Sequence, residues 1–94
     1  MAIVSFKDPR LEAVRDGRVP KGFPANLAVR TQLLLTALEA ASDVEQLRNP
    51  PGNRLELLTG NRAGQHSVRV NRQWRLCFVW TEEGVADVEF VDYH

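Results

Sequence analysis

The stretch Asn53-Arg-Leu-Glu-Leu-Leu-Thr-Gly-Asn-Arg-Ala-Gly-Gln-His-Ser-Val-Arg-Val-Asn-Arg-Gln-Trp-Arg75 decides how the chain is read. Within it the apolar spacing changes from helical to alternating, and five arginines (Arg54, Arg62, Arg69, Arg72 and Arg75) gather against one acid, Glu56. His66 to Val70 alternates, with Val68 and Val70 on one face and Ser67 and Arg69 on the other. If Val68 and Val70 are to share a face with Leu76 and Phe78, even-numbered residues must pair with even-numbered ones. The simplest hairpin that does this takes Asn71, Arg72 and Gln73 as a three-residue loop. It places Arg69 opposite Arg75, on the face away from Val68 and Phe78. Like charges across two strands repel, so this pairing points to an anion held between them, and the arginines together to a surface that meets phosphate.

Outward from that hairpin, Arg75 to Thr81 is nearly all apolar, as expected of a central strand. Leu76, Phe78 and Trp80 face one way, Arg75, Cys77 and Val79 the other. Glu82-Glu83-Gly84 makes the next turn and Val85 to Tyr93 the last strand; Leu55 to Leu58 is a strand ending at Thr59-Gly60-Asn61. Upstream the period is helical. Ile3-Val4-Ser5-Phe6 reads as a short strand, and Asp8 before Pro9 as the cap of a short helix carrying Leu11 and Val14 and ending at Gly17. Asn26 is the expected cap of the longest helix, Leu27 to Ala41. Its apolar face is Leu27, Thr31, Leu34, Leu35, Leu38 and Ala41. Ser42-Asp43-Val44-Glu45 resembles a capping box for one more turn, and Asn49-Pro50-Pro51-Gly52-Asn53 breaks what precedes it. The pattern predicts an α+β fold in which the helices cover one face of a sheet.

A chain of 94 residues is one domain, residues 1–94. A single cysteine, Cys77, makes no internal disulfide and fits a reducing cytosol. No stretch approaches the roughly 20 apolar residues of a membrane span, so the expected location is the cytoplasm. Net charge is zero, but residues 53–75 hold five Arg against one Glu while 76–94 hold five acids and no Lys or Arg. A neutral total thus hides a basic face, and the local potential governs binding. The competing reading pairs these arginines with the later acids as a solvated surface.

Groups able to move protons are few: Glu56, His66, Asp92, Tyr93 and His94. Two histidines and one cysteine without ligand spacing argue against a metal site. No glycine-rich loop opens a helix after a strand, which argues against that kind of nucleotide binding. Cys77, mid-strand among apolar residues, reads as core. RNA brings its own nucleophile, the 2′-hydroxyl. Its cleavage needs a base for that proton, cations for charge growing on phosphorus, and an acid for the leaving 5′-oxygen. Glu56, Arg75 with Arg69, and His94 suit those roles.

Four runs carry a resemblance: Pro50 to Glu56, Gly60 to Val70, Gln73 to Phe78, and Val91-Asp92-Tyr93-His94. In order, they are similar to the HigB toxins, the killer proteins of host-inhibition toxin–antitoxin pairs in the RelE superfamily. The resemblance is continuous over about the last 45 residues; the first half agrees in length, helix placement and the leading Ser-Phe. It implies a RelE-like α+β fold, with two N-terminal helices packed on a twisted, mainly antiparallel sheet of four to five strands. It also implies a ribosome-dependent endoribonuclease that cuts mRNA in the A site by the 2′-hydroxyl route, without metal or cofactor. Arg75 matches the family's catalytic arginine, and Tyr93 and His94 its terminal pair. Glu56 matches the carboxylate that the related YoeB toxins use as base, where some HigB proteins carry histidine. Arg54, Arg62, His66, Arg69 and Arg72 form the expected RNA-binding set, and Glu56 and His66 are alternatives for the base.

The implied partners are a HigA-type helix-turn-helix antitoxin, the ribosome and its mRNA, and operator DNA through the antitoxin complex only. Two positions depart from the pattern: Thr59, where many relatives have lysine, and Arg72, where many have an acid. The rival readings are a non-catalytic inhibitor on the same fold, as in the ParE toxins that poison gyrase, and a module that only binds RNA. A gyrase inhibitor has no need of the set Glu56, Arg75, Tyr93 and His94.

Overall fold

The computed structural model describes residues 1–92. Its first helix, α1 (Arg10–Arg15), is short because the sequence stops it at both ends. The Asp8 carboxylate accepts the backbone N–H of Arg10 at 3.1 Å and binds the Arg10 guanidinium at 2.7 Å, so one side chain caps the helix and holds its first cation. At the far end Gly17 has φ +86°, and the N–H groups of Gly17 and Arg18 reach back to the carbonyls of Val14 and Ala13, the Schellman arrangement that glycine favours. The second helix, α2 (Ala28–Ala40), buries Thr31, Leu34, Leu35 and Leu38, the face its spacing predicts. Asn26 does not cap it. The chain enters through a 3-10 turn, Ala25–Leu27, which starts after the extended Pro24 and takes Asn26 into its interior. A further 3-10 turn, Val44–Arg48, forms where the capping box was expected. Asp43 accepts the N–H of Glu45, and Ser42 and Gln46 bond each other reciprocally.

Four strands follow: β1 (Glu56–Leu57), β2 (His66–Arg69), β3 (Trp74–Trp80) and β4 (Val85–Asp92), antiparallel neighbours in that order. The β2–β3 register pairs Val68 with Leu76 and Arg69 with Arg75, as the parity argument requires. Asn71 fixes the loop, its Oδ1 accepting the N–H groups of Gln73 and Trp74 at 2.9 and 2.7 Å. β1 is shorter than expected: Leu55 and Leu58 are buried on either side of it, and Arg54, immediately before, is left-handed at φ +46°. Val68, Leu76, Phe78, Val88 and Phe90 meet Leu11, Val14, Leu35 and Leu38 in one core. Among the described residues no helix is long and apolar enough to cross a membrane.

β4 departs from simple alternation. Val85, Val88 and Phe90 all face the core, although 85 and 88 have opposite parity. The register steps from Cys77↔Glu89 to Val79↔Ala86, so Asp87 and Val88 together oppose Phe78. This bulge turns the strand over by one residue, with Asp87 in the left-handed region (φ +53°) that aspartate tolerates. The segment expected as a strand, Ile3 to Phe6, makes two isolated parallel bridges to β4, Ile3–Val85 and Phe6–Val88. It also holds the bulge: the N–H of Asp87 donates to the Ser5 hydroxyl at 2.8 Å.

Even parity carries His66 to the helix side with Val68. Its ring stacks on Phe78, centroids 6.2 Å apart and 18° between planes, and its Nδ1 is buried without a hydrogen-bond partner among the described residues. Burial pushes the imidazole below its ordinary pKa; Glu45 opposes this and Arg48 reinforces it.

Two outcomes follow from this packing. A Cβ on Gly84 would sit 2.4 Å from the carbonyl oxygen of Ala2, so Gly84→Ala should lift the N-terminal segment off β4. The expected loss is about 2 kcal/mol, a fall of roughly 8–16 °C in Tm by thermal unfolding. Because burial lowers the pKa of His66 in the fold, its contribution is constant above the unfolded pKa of about 6.5 and turns destabilising as pH falls below it. Denaturant midpoints measured from pH 7 to pH 5 should therefore drop less steeply for His66→Phe than for the parent.

Candidate active site

The face of the sheet opposite the helices carries the odd-numbered residues of β2 and β3, and its centre is Arg75. This residue is 6% exposed. Its Nε donates to the Ser67 hydroxyl at 2.8 Å, and its Nη2 to the backbone carbonyl of Arg54 at 2.5 Å and that of Ser67 at 3.5 Å. Its Nη1 lies 3.8 Å from Glu56 Oε1. Glu56 pairs with Ser67 across β1 and β2, so three neighbouring strands each supply one member of the group. Ser67 is completely buried. Burying a guanidinium is costly unless its N–H groups meet acceptors, and here two backbone oxygens and one hydroxyl provide them.

The Glu56 side chain, by contrast, is half exposed. At 3.8 Å, and with its own side chain half in water, the Glu56 carboxylate makes only a long contact with the guanidinium and is not locked onto Arg75. A half-exposed carboxylate beside a fixed, buried cation is an arrangement able to take a proton next to a point of developing negative charge.

The Arg54 carbonyl reaches Arg75 because the backbone there is left-handed (φ +46°, ψ +57°), directly after the 3-10 turn Pro51–Asn53. Asn53, 2% exposed, anchors that turn. Its Nδ2 donates to the carbonyls of Leu47 and Asn49 at 3.1 and 3.2 Å, and its Oδ1 accepts from Arg30 Nη2 at 3.2 Å. Arg30, on α2, also donates to the Arg69 carbonyl at 3.0 Å, tying the helix layer to β2.

The remaining residues of the predicted set divide. Arg69 Nε donates to the Asn71 carbonyl at the hairpin end while Arg75 Nη2 turns to the Arg54 carbonyl, so each of the two opposed guanidinium groups meets a backbone oxygen. Arg62, from the 3-10 turn Gly60–Arg62, reaches Glu89 at 3.0 Å and Gln65 at 3.1 Å. Glu89 pairs with Cys77 on the same face of the sheet as Arg75. Arg54 and Arg72 have exposed side chains, Arg72 at the hairpin tip. His66 is not brought to this group, because its parity sends it to the other face. Tyr93 and His94 lie outside the described residues; the preceding Asp92 pairs with Trp74 and accepts from Gln73 Nε2 at 3.0 Å.

Burial pushes the Cys77 thiol up, with Arg62 and Arg75 lowering it and Glu89 raising it, which suits a core residue rather than a nucleophile. Among the described residues no three His, Cys, Asp or Glu side chains gather as metal ligands. Sequence reasoning did not single out Ser67, Asn53 or Arg30. Ser67 was within reach, since it shares parity with Arg69 and Arg75; Arg30 and Asn53 leave no pattern in one sequence.

Residues 4–94 match the model of a family described as the RelE-like toxin of type II toxin-antitoxin system HigB. The chain is 40% identical over 92 residues to Toxin HigB-1 of Vibrio cholerae serotype O1, covering 97% of this chain and 96% of that protein. It is 30% identical over 92 residues to Endoribonuclease HigB of Proteus vulgaris, covering 98% and 99%. Its fold is similar to a chain of the YoeB-YefM complex from Staphylococcus aureus, with TM-score 0.59 and 18% identity over 100% of this chain and 97% of that one. With a matching family model over nearly its whole length and relatives matched end to end, the chain belongs to the RelE-like HigB toxins of type II toxin–antitoxin systems.

Proposed function

We propose that this toxin is an endoribonuclease that cleaves mRNA in the ribosomal A site by attack of a 2′-hydroxyl on the adjacent phosphate. The observation that supports it most is the buried Arg75 guanidinium, held by Ser67 and the Arg54 carbonyl, with the half-exposed Glu56 carboxylate 3.8 Å away. Glu56 takes the 2′-hydroxyl proton as the O2′–P bond forms. Arg75 stabilises the charge that builds on the phosphoryl oxygens. The P–O5′ bond then breaks, and His94 protonates the departing oxygen while Tyr93 positions the substrate; these last two roles come from the family resemblance. The products are a 2′,3′-cyclic phosphate and a 5′-hydroxyl. The nucleophile belongs to the substrate, so the scheme calls for no metal ion. The relative from Proteus vulgaris, which carries the name endoribonuclease, supports RNA cleavage as the activity here.

The exposed Arg72 and Arg54 side chains, with Arg69, meet phosphates flanking the cut. Glu56 is preferred to His66 as the base, because His66 stands on the far side of the sheet, stacked on Phe78. The antitoxin is of the HigA helix-turn-helix type, and operator DNA is bound through the complex. It seats on the outer helix surfaces, where Val29 and Leu33 of α2 are exposed in the layer opposite Arg75. The working compartment is the cytoplasm, where ribosomes and mRNA are found.

Arg75→Ala should lower cleavage of ribosome-bound mRNA by two or more orders of magnitude, read by mapping cut sites and analysing the new 3′ ends for a cyclic or 3′-phosphate. Because Arg75 is buried, Tm is measured beside it, and the rate loss must exceed what the unfolded fraction explains. Glu56→Gln, at a half-exposed position, should slow cleavage while leaving Tm within about 4 °C of the parent, the change expected of a surface substitution. Equal growth arrest by the parent and Arg75→Ala would remove Arg75 from the mechanism. Arrest accompanied by gyrase poisoning and intact mRNA would favour the ParE-like reading.

A further inference from the structure

Arg54 is one of two non-glycine residues with positive φ among the described residues, the other being Asp87 in the bulge. At Asp87 the left-handed backbone has a local reason, the turnover of β4. At Arg54 the sequence offers none: arginine has no preference for that region, and a glycine stands two positions earlier at Gly52. What the conformation achieves is the placement of one oxygen. The Arg54 carbonyl accepts Arg75 Nη2 at 2.5 Å, while the Arg54 side chain stands exposed. The turn before it is held from both sides of Asn53, by the carbonyls of Leu47 and Asn49 and by Arg30 of α2.

We propose that Arg54 is a positioning residue that acts through its main chain: its left-handed carbonyl, braced by the buried Asn53, fixes the plane of the Arg75 guanidinium. The Ser67 hydroxyl holds Nε, and Nη2 has a short contact to the Arg54 carbonyl at 2.5 Å and a longer one to the Ser67 carbonyl at 3.5 Å, which leaves Nη1 on the Glu56 side. Without the short Arg54 contact the guanidinium gains freedom about its last side-chain bonds, since the Ser67 carbonyl meets Nη2 only at the outer limit of a hydrogen bond. Stabilisation of a transition state falls steeply when the stabilising group is misplaced by about 1 Å. The kinetic part of this inference rests on the nuclease reading above; the structural part does not.

The test compares two substitutions that remove the same charge and differ in backbone preference. Glycine accepts positive φ freely, whereas a β-branched residue there is an outlier. Arg54→Gly therefore keeps the carbonyl in place and Arg54→Val displaces it. On ribosome-bound mRNA, kcat of Arg54→Val should fall at least ten-fold below that of Arg54→Gly, with KM for the two agreeing within about two-fold. In side-chain nitrogen-15 NMR spectra, Arg75 should show resolved, slowly rotating Nη groups in the parent and in Arg54→Gly, and averaged Nη signals in Arg54→Val. Thermal melting confirms that each protein is folded, and Arg54→Ala replaces the valine variant if that one is not.

Equal kcat for the two variants, losses in KM alone, or Nη signals unchanged in Arg54→Val would each overturn the proposal. Should the parent fail to cleave RNA, the nuclease reading falls separately. The NMR comparison then still decides whether the Arg54 backbone holds Arg75.

Discussion

A guanidinium withdrawn from water needs acceptor oxygens arranged in its own plane, and much of this fold's irregularity serves that need at Arg75. Leaving a buried charged donor unpaired costs several kcal/mol, whereas a left-handed arginine costs about 1–2 kcal/mol. The larger penalty decides the geometry: the backbone bends at Arg54 so that its carbonyl faces Arg75, and a serine rather than an apolar residue occupies position 67. The brace runs on through Asn53 to Arg30, so a helix on the far side of the sheet has a hand in the cation's position.

Parity then separates two kinds of work. On β2 and β3 the even residues build the core with the helices, and the odd ones face the opposite side, where Arg75, Ser67 and Cys77 stand. A slip of one residue would exchange these sets completely, so the Asn71 loop, which fixes the register, keeps Arg75 and Ser67 on their own face as well as ordering the packing. β4 has to satisfy both ends. Its bulge lets Val85 and Val88 both enter the core while Glu89 keeps its place on the site face, within reach of Arg62.

The parts legible in the sequence were those governed by periodicity. The buried face of α2, the end of α1 at Gly17 and the pairing of Arg69 with Arg75 all follow from spacing and turn chemistry, and the RelE-like α+β layout follows from the resemblance. The illegible parts were governed by main-chain oxygens and by distant segments. That a carbonyl at residue 54 receives Arg75 leaves no trace in residue type, because every residue has a carbonyl. The bulge at Asp87 was hidden because Val85 to Asp92 reads acceptably as a plain strand. His66 is an instructive case. Its parity with Val68 sends it to the core side against Phe78, whereas its chemical type alone suggests a place among the arginines.

The parallel bridges from Ile3 and Phe6 to β4 give the molecule a topological property that none of its hairpins has. Ser5 and Asp87 are 82 positions apart along the chain, so the N-terminal segment has no docking place until β4 is present. Helices and neighbouring strands can assemble early, since their contacts are local, but the seam along β4 is a late, high-contact-order event. The edge of β4 that the N-terminal segment covers therefore stays open until two segments from distant parts of the chain have met.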